Sequence, residues 1–145
     1  MLIQLVRIIL LGACIFSTPA LAQSPQQSGD SETIAAARSY LNTYGDLDIE
    51  ALTLLYAEDA DFIDETSRIM SSPFVWRGRD AILSGLNGWR EDSVRRIDYE
   101  LSSVFEAADR VVFIGSIVTV VDGPNGRSRH RYPAVTIVTF ADGLV

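Results

Sequence analysis

Two kinds of hydrophobic spacing divide the chain. In the first part, apolar residues recur every three or four positions, which predicts three amphipathic helices at 31–44, 49–57 and 79–89. In the second part, long runs rich in Val, Ile, Phe and Tyr predict three strands at 97–106, 110–122 and 129–140. The middle run is apolar on both faces, so we expect it at the centre of a sheet.

A short strand is predicted between the second and third helices. In "ADFID", residues 60–64, the alternation of a strand places Ala60, Phe62 and Asp64 on one side. If Phe62 points into the core, Asp64 points there too. The following stretch "SSPFVW", residues 71–76, is aromatic and reads as irregular.

The first 22 residues have the pattern of a secretory signal. Arg7 precedes the apolar run "IILLGACIF", and "STPALA" ends in the small residues that favour cleavage after Ala22. We therefore expect a periplasmic or secreted protein, with a polar linker at 23–30 and one domain at 31–145. A rival reading takes "LGAC" as a lipoprotein signal, which would make Cys14 the lipidated first residue.

Composition excludes several kinds of chemistry. The 145-residue chain has a net charge of −7 and contains no lysine. Nucleic acid and anionic membrane surfaces are therefore not expected as partners, and no lysine can form a Schiff base. Cys14 is the only cysteine and His130 the only histidine. Without a recognisable ligand spacing, we expect neither a metal nor another cofactor.

Asp64 has two interpretations from the residues alone. Burial in an apolar pocket would disfavour its charged form and suit it to proton transfer. Alternatively, Asp64 opens the turn that follows the strand and caps it through local hydrogen bonds. The pattern does not decide between them.

The order of elements resembles the nuclear transport factor two-like superfamily, which includes the SnoaL-like polyketide cyclases and ketosteroid isomerase. The stretch "DIEALTLLYAEDADFID" carries the resemblance most specifically, supported by "WRGRDAI" and "TFADG". It implies an α+β fold, a cone-shaped half-barrel in which three N-terminal helices pack on a curved antiparallel sheet. In that superfamily the interior of the cone holds a small apolar ligand.

The resemblance also implies roles for single residues. Asp64 matches the catalytic aspartate of ketosteroid isomerase, Tyr40 matches its oxyanion-binding tyrosine, and Tyr56 matches a second tyrosine of the hydrogen-bond network. The protonated aspartate of that enzyme falls on Thr136, which is a much poorer acid, so the full steroid mechanism does not transfer. The ligand expected is a small apolar or carbonyl-containing compound, with Asp64 as base and Tyr40 as electrophile.

Further residues are candidates for the pocket wall. They are Tyr56, Phe62, Phe74, Trp76, Trp89, His130, Tyr132 and Thr136. The aromatic ones are equally compatible with an ordinary core, and His130, between Arg129 and Arg131, with a surface position. If the pocket is filled by side chains, the domain is a non-catalytic module for ligand binding or dimerisation, and we expect a homodimer through the sheet.

The end of the chain shows a further departure from the superfamily. Asp142 and Gly143 are suited to a turn, and only Leu144 and Val145 follow. We therefore expect the last strand of the sheet to be missing, as it would be in a truncated reading frame.

Overall fold

The protein is described by a computed structural model that covers residues 30–65 and 74–145. The predicted signal, the Cys14 lipoprotein site and nearly all of the linker lie outside these residues. The elements are α1 (Glu32–Gly45), α2 (Ile49–Leu55), β1 (Asp61–Asp64), β2 (Phe74–Arg77), α3 (Arg79–Asp92), β3 (Val94–Ala107), β4 (Arg110–Gly123) and β5 (Gly126–Thr139). No helix in the described ranges is long and apolar enough to cross a membrane.

The helices begin where the sequence supplies caps. Ser31 accepts a hydrogen bond from the backbone N–H of Ile34, and Asp48 accepts one from that of Ala51. These bonds satisfy donors that the first turn of a helix leaves unpaired. The N-cap of α3 is Gly78, whose positive φ of 84° favours glycine.

The strands form two antiparallel sheets. One contains β1 and β2, and the other has the order β3-β4-β5, with the doubly apolar β4 in the centre as predicted. The β3–β4 and β4–β5 connections are tight hairpins. One element was predicted wrongly: Phe74–Arg77 is a strand paired with β1, although its sequence read as irregular. Four residues are too few to show a strand period on their own.

The core lies between the helices and one face of the larger sheet. Ala37 and Leu41 of α1, Leu52 of α2 and Ile82 of α3 are buried against this face, and Phe113 is the largest buried residue that the sheet contributes. The predicted α+β class, with three helices followed by an antiparallel sheet, is confirmed.

The last described residues turn back onto α2. Ala141 and Leu144 form a β-bridge around the predicted Asp142–Gly143 turn. The N–H of Val145 donates to the carbonyl of Leu55, at 2.9 Å, and the carbonyl of Val145 accepts from Ala57, at 2.8 Å. The missing last strand stays a prediction.

Candidate functional site

Asp64 lies on the same face of the small sheet as three aromatic rings. In the β1–β2 register, Phe62 is paired with Trp76 and Asp64 with Phe74. Directly paired residues of antiparallel strands share a face. The other face carries the Asp61–Arg77 ion pair, at 2.8 Å. The strand phase predicted for Phe62 and Asp64 therefore holds, and both are half-buried.

The rings on this face continue into α1, α3 and β3 as one aromatic cluster. Its members are Tyr40, Tyr44, Tyr56, Phe62, Phe74, Trp76, Trp89 and Tyr99. Phe62 stacks on Trp76 with ring centroids 5.1 Å apart, and Trp89 tilts against Trp76 at 5.0 Å. Tyr44 also stacks on Phe62, with ring centroids 5.8 Å apart. Trp76, Trp89 and Phe74 remain partly exposed, so the cluster presents an aromatic surface beside Asp64.

Two buried phenols meet at the inner end of the cluster. The hydroxyl oxygens of Tyr40 and Tyr56 are 2.7 Å apart, and either can donate to the other. The resemblance implied that these two tyrosines share a hydrogen-bond network. Burial raises the pKa of Tyr40 well above its usual value and that of Tyr56 to about 12. Both phenols are therefore neutral at physiological pH and able to donate.

The charge of Asp64 contributes to the raised pKa of two other buried phenols, those of Tyr44 and Tyr99. The pKa of Tyr44 is raised by burial first, then by Tyr99, Tyr56 and Asp64. The pKa of Tyr99 is raised by burial, then by Tyr56 and Asp64. Burial is the largest cause in both cases, so Tyr44 and Tyr99 are also neutral phenols at physiological pH.

Tyr44 and Tyr99 were not predicted from the sequence as site residues. Each carried a signal that could have found it. Tyr44 follows Tyr40 by four residues on α1, which places both on one side of the helix. Tyr99 alternates with Ile97 and Leu101, which pack against the core from β3.

The three candidates on β5 lie at different depths. His130 is exposed, and its Nε2 is 3.0 Å from the hydroxyl of Ser128. Tyr132 donates to Thr119 at 3.2 Å, and among the described residues it makes no ring contact with the aromatic cluster. Thr136 is half-buried and paired with Phe113. The structure thus brings the predicted aromatic residues of the helices and the β1–β2 hairpin together, but not His130 or Tyr132.

The alternative in which Asp64 caps the turn after β1 involves residues 66–73, which lie outside the described residues.

In the described ranges, no group of three or more His, Cys, Asp or Glu side chains could bind a metal ion. What the described side chains offer is one carboxylate, several neutral phenols and an aromatic surface.

The position of Trp76 depends on Gly85. A Cβ atom at Gly85 would overlap the indole ring of Trp76, whereas one at Gly88 would meet nothing within 4 Å. Replacing a helical glycine by alanine otherwise stabilises a helix by about 1 kcal/mol. We expect Gly88→Ala to raise the free energy of unfolding by that amount. The free energy of unfolding of Gly85→Ala should be about 1–3 kcal/mol lower than that of Gly88→Ala, because the indole ring of Trp76 must move.

Urea denaturation of both variants measures this difference, and tryptophan fluorescence reports the displacement of the indole. Gly88→Ala is the matched control because both glycines lie in α3. Equal stabilisation by the two substitutions, with unchanged fluorescence, would show that Trp76 does not rest on Gly85.

Comparisons with known proteins agree on the family. Residues 37–145 match the model of the SnoaL-like domain. A comparison with the curated proteins gives no match.

Several solved structures share the fold. A proposed SnoaL-like polyketide cyclase from Shewanella putrefaciens is 21% identical, with 78% of this chain and 82% of that chain covered and a TM-score of 0.65. A second one, from Shewanella denitrificans, is 23% identical, with 74% and 79% covered and a TM-score of 0.64. A protein of ketosteroid isomerase-like fold from Catenulispora acidiphila, solved in complex with trimethylamine, is 14% identical, with 77% and 80% covered and a TM-score of 0.60.

At these identities the structures show the fold alone, which is the cone of the nuclear transport factor two-like superfamily. The family model covers α1 from Ala37 onward, the other two helices, both sheets and the aromatic cluster. The chain therefore belongs to the SnoaL-like domain family.

Proposed function

We propose that the chain binds a small apolar carbonyl compound against the aromatic cluster and removes a proton from the carbon next to the carbonyl. Asp64 is the base, and Tyr40 donates a hydrogen bond to the oxygen of the developing enolate. The observation that carries the proposal is the placement of Asp64 on the same face as the rings of an aromatic cluster that also contains the paired, neutral phenols of Tyr40 and Tyr56.

The proton can be followed through the reaction. The Asp64 carboxylate takes it from the α-carbon, and the electron pair of the C–H bond moves into the enolate. Return of the proton to another carbon completes an isomerisation. Attack of the enolate carbon on a second carbonyl closes a ring, and the proton then passes to the alkoxide formed from that carbonyl. Transfer of the proton to a hydroxyl group that leaves the β-carbon as water gives a dehydration. Each outcome needs only a carboxylate and a donor to the oxygen, which are the groups present here.

Tyr40 can serve as donor if Tyr56 donates to it. In that orientation the hydroxyl hydrogen of Tyr40 is released from the pair, and the hydrogen bond from Tyr56 makes Tyr40 a stronger donor. Tyr44 and Tyr99 belong to the same cluster and are neutral phenols as well, because burial raises their pKa. Separate Tyr→Phe replacements at these positions distinguish the donor from its neighbours.

An enolate analogue tests the proposal without knowledge of the substrate. We expect 2-naphtholate, which is flat and carries its negative oxygen on the ring, to bind at the cluster. Asp64→Asn should tighten binding about tenfold, since removing a charge near the oxyanion is equivalent to about one pKa unit of interaction. Tyr40→Phe should weaken it by a similar factor because one charge-assisted hydrogen bond is lost.

Fluorescence titration measures both affinities at a pH where naphthol is ionised. Tyr132→Phe serves as control, since this phenol bonds Thr119 and lies outside the cluster. Binding that is indifferent to both Asp64→Asn and Tyr40→Phe would contradict the assigned roles.

A second candidate function is a dimerisation module. The outer face of the larger sheet carries an exposed apolar patch of Phe105, Ile114, Val135 and Ile137. The register makes it continuous across three strands, since Phe105 and Ile137 both pair with Val112 and Ile114 pairs with Val135. We propose that a second copy of the chain covers this patch.

The oligomeric state tests this second proposal. We expect Ile137→Arg to convert a dimer to a monomer in sedimentation, because it buries a charge in the interface. Leu54→Arg, at an exposed position of α2, is the matched control and should leave the dimer intact. A monomeric wild-type protein would remove the proposal.

Export is the remaining element of the proposal, supported by the signal pattern at 1–22. Sequencing the N-terminus of the exported protein should give Gln23. A lipidated Cys14 at the start would instead establish the lipoprotein reading.

A further inference from the structure

A groove of about 340 Å³ lies between α1 and β3, and it was not anticipated from the sequence. Its apolar part is formed by Leu41, Ile97 and Leu101, and its polar part includes Arg38 and Asn42. We propose that this groove binds a small organic anion, a carboxylate with an apolar body, through the guanidinium group of Arg38. The proposal does not depend on the reaction proposed for Asp64.

Arg38 is held at two points. Its Nε donates to the carboxylate of Asp30 at 2.6 Å, and its guanidinium carbon lies 5.8 Å from the centroid of the Phe113 ring. Phe113 is only 1% exposed, so the ring is a fixed support. Among the residues that the structure describes, the two terminal amino groups of Arg38 have no hydrogen-bonding partner. A planar guanidinium fixed in this way is suited to a carboxylate ligand.

Asn42 adds a second polar group on the same side of α1. It follows Arg38 by four residues, which places the two side chains one above the other on the helix. Its side-chain amide forms no hydrogen bond with another residue of the described chain. The amide can therefore donate to an anion that Arg38 holds.

The acidic side chain in the wall does not repel such a ligand strongly. Asp98 also lines the groove, but it accepts from Arg96 at 2.5 Å and from Arg129 at 3.3 Å. Arg96 in turn pairs with Asp46. The charges at this end of the groove compensate one another. Arg38 is itself paired with Asp30 through Nε, so what it offers a ligand is its two terminal amino groups rather than an unbalanced charge.

The apolar residues determine what the rest of the ligand must be. Leu41 is 3% and Ile97 6% exposed, so the floor of the groove is the edge of the core. A bare inorganic anion would cover this floor with its hydration shell and gain nothing from it. The volume is near the lower end of the range for small-molecule sites, about 300–1,000 Å³, which fits a body of about one ring.

Benzoate and its neutral analogue benzamide are suitable probes. We expect benzoate to bind saturably and to shift the NMR signals of the Asn42 side-chain amide and of the Leu101 backbone. Benzamide should bind about tenfold more weakly because it carries no charge. Arg38→Gln should weaken benzoate binding about tenfold and remove its advantage over benzamide. Asn42→Leu, at an exposed helical position, tests the same site without touching the Asp30 ion pair.

Two controls separate this site from others. Arg90→Gln removes an arginine of α3 whose side chain donates to Asn87, outside the groove, and should leave benzoate binding unchanged. Asp64→Asn should also leave benzoate binding unchanged, although Tyr99, whose pKa Asp64 helps to raise, lines the groove. A failure of the reaction proposed for Asp64 would therefore not count against the groove. Equal affinity for benzoate in wild type, Arg38→Gln and Asn42→Leu would overturn the proposal, as would benzoate shifts confined to Trp76 and Trp89.

Discussion

Replacing Gly45 with alanine is expected to lower the free energy of unfolding by about 3 kcal/mol, near the top of the usual range for overpacking. Gly45 is the last residue of α1, and a Cβ atom there would overlap the backbone carbonyl oxygen of Ile97 on β3. A backbone atom cannot rotate away as a side chain can. The end of α1 would therefore have to move off the sheet, and Tyr44 would move with it.

Urea denaturation measures this loss, and Ser39→Ala is the matched control. Ser39 is exposed on the same helix, where alanine should add about 0.5 kcal/mol through its higher helix propensity. The ring contact of Tyr44 with Phe62 should also be weakened in Gly45→Ala. A variant as stable as Ser39→Ala would show that α1 does not approach β3 this closely.

Replacing Tyr56 with phenylalanine is expected to cost about 1–3 kcal/mol because it leaves the hydroxyl of Tyr40 buried without its partner. Tyr40 is 7% and Tyr56 2% exposed, so water cannot readily take the vacant place. The double variant Tyr40→Phe/Tyr56→Phe should recover most of the loss, since two apolar rings of the same shape leave no polar group unpaired.

A double-mutant cycle of these variants gives the coupling free energy directly. We expect a coupling of about 1–2 kcal/mol between the two hydroxyls. Additive effects of the single substitutions would contradict the hydrogen bond as a feature of the folded state in solution.

Because these phenols are buried, the free energy of unfolding is expected to fall at alkaline pH. A phenol whose folded pKa is raised contributes stability that is fully present below its unfolded pKa, about 10, and is lost as the pH rises through the folded value. For Tyr56 this window runs from about 10 to about 12. The loss in this window should be smaller in Tyr56→Phe than in the wild type when both are unfolded by urea at several alkaline pH values.

Much of the fold could be predicted because its elements are long and strongly periodic. The helical stripe of α1 and the doubly apolar run of β4 each extend over 14 residues, so their type and place followed from the spacing. The phase of Phe62 and Asp64 followed from strand alternation in the five residues "ADFID". β2 is four residues long and shows no such alternation, so its partner could be recognised only from the folded chain.

The site was predicted less completely because it is made by contacts between distant elements. Tyr40 and Tyr56 are 16 residues apart, and their pairing was found through the resemblance. Tyr99 joins the cluster from β3 through its contact with the ring of Tyr44 on α1, and no local pattern pairs two residues so far apart in the sequence. The groove beside Arg38 likewise depends on how α1 lies along β3, which composition and period do not specify.

The most direct test of the proposed role of Asp64 is the exchange of α-protons for deuterium in a flat apolar ketone such as 2-tetralone, followed by NMR with wild type and Asp64→Asn. The account predicts that the wild type accelerates exchange above the buffer rate. Asp64→Asn should reduce this acceleration by about 10²–10⁴-fold, the usual contribution of general-base catalysis. Exchange at the buffer rate in the wild type, or an acceleration that survives in Asp64→Asn, would contradict it.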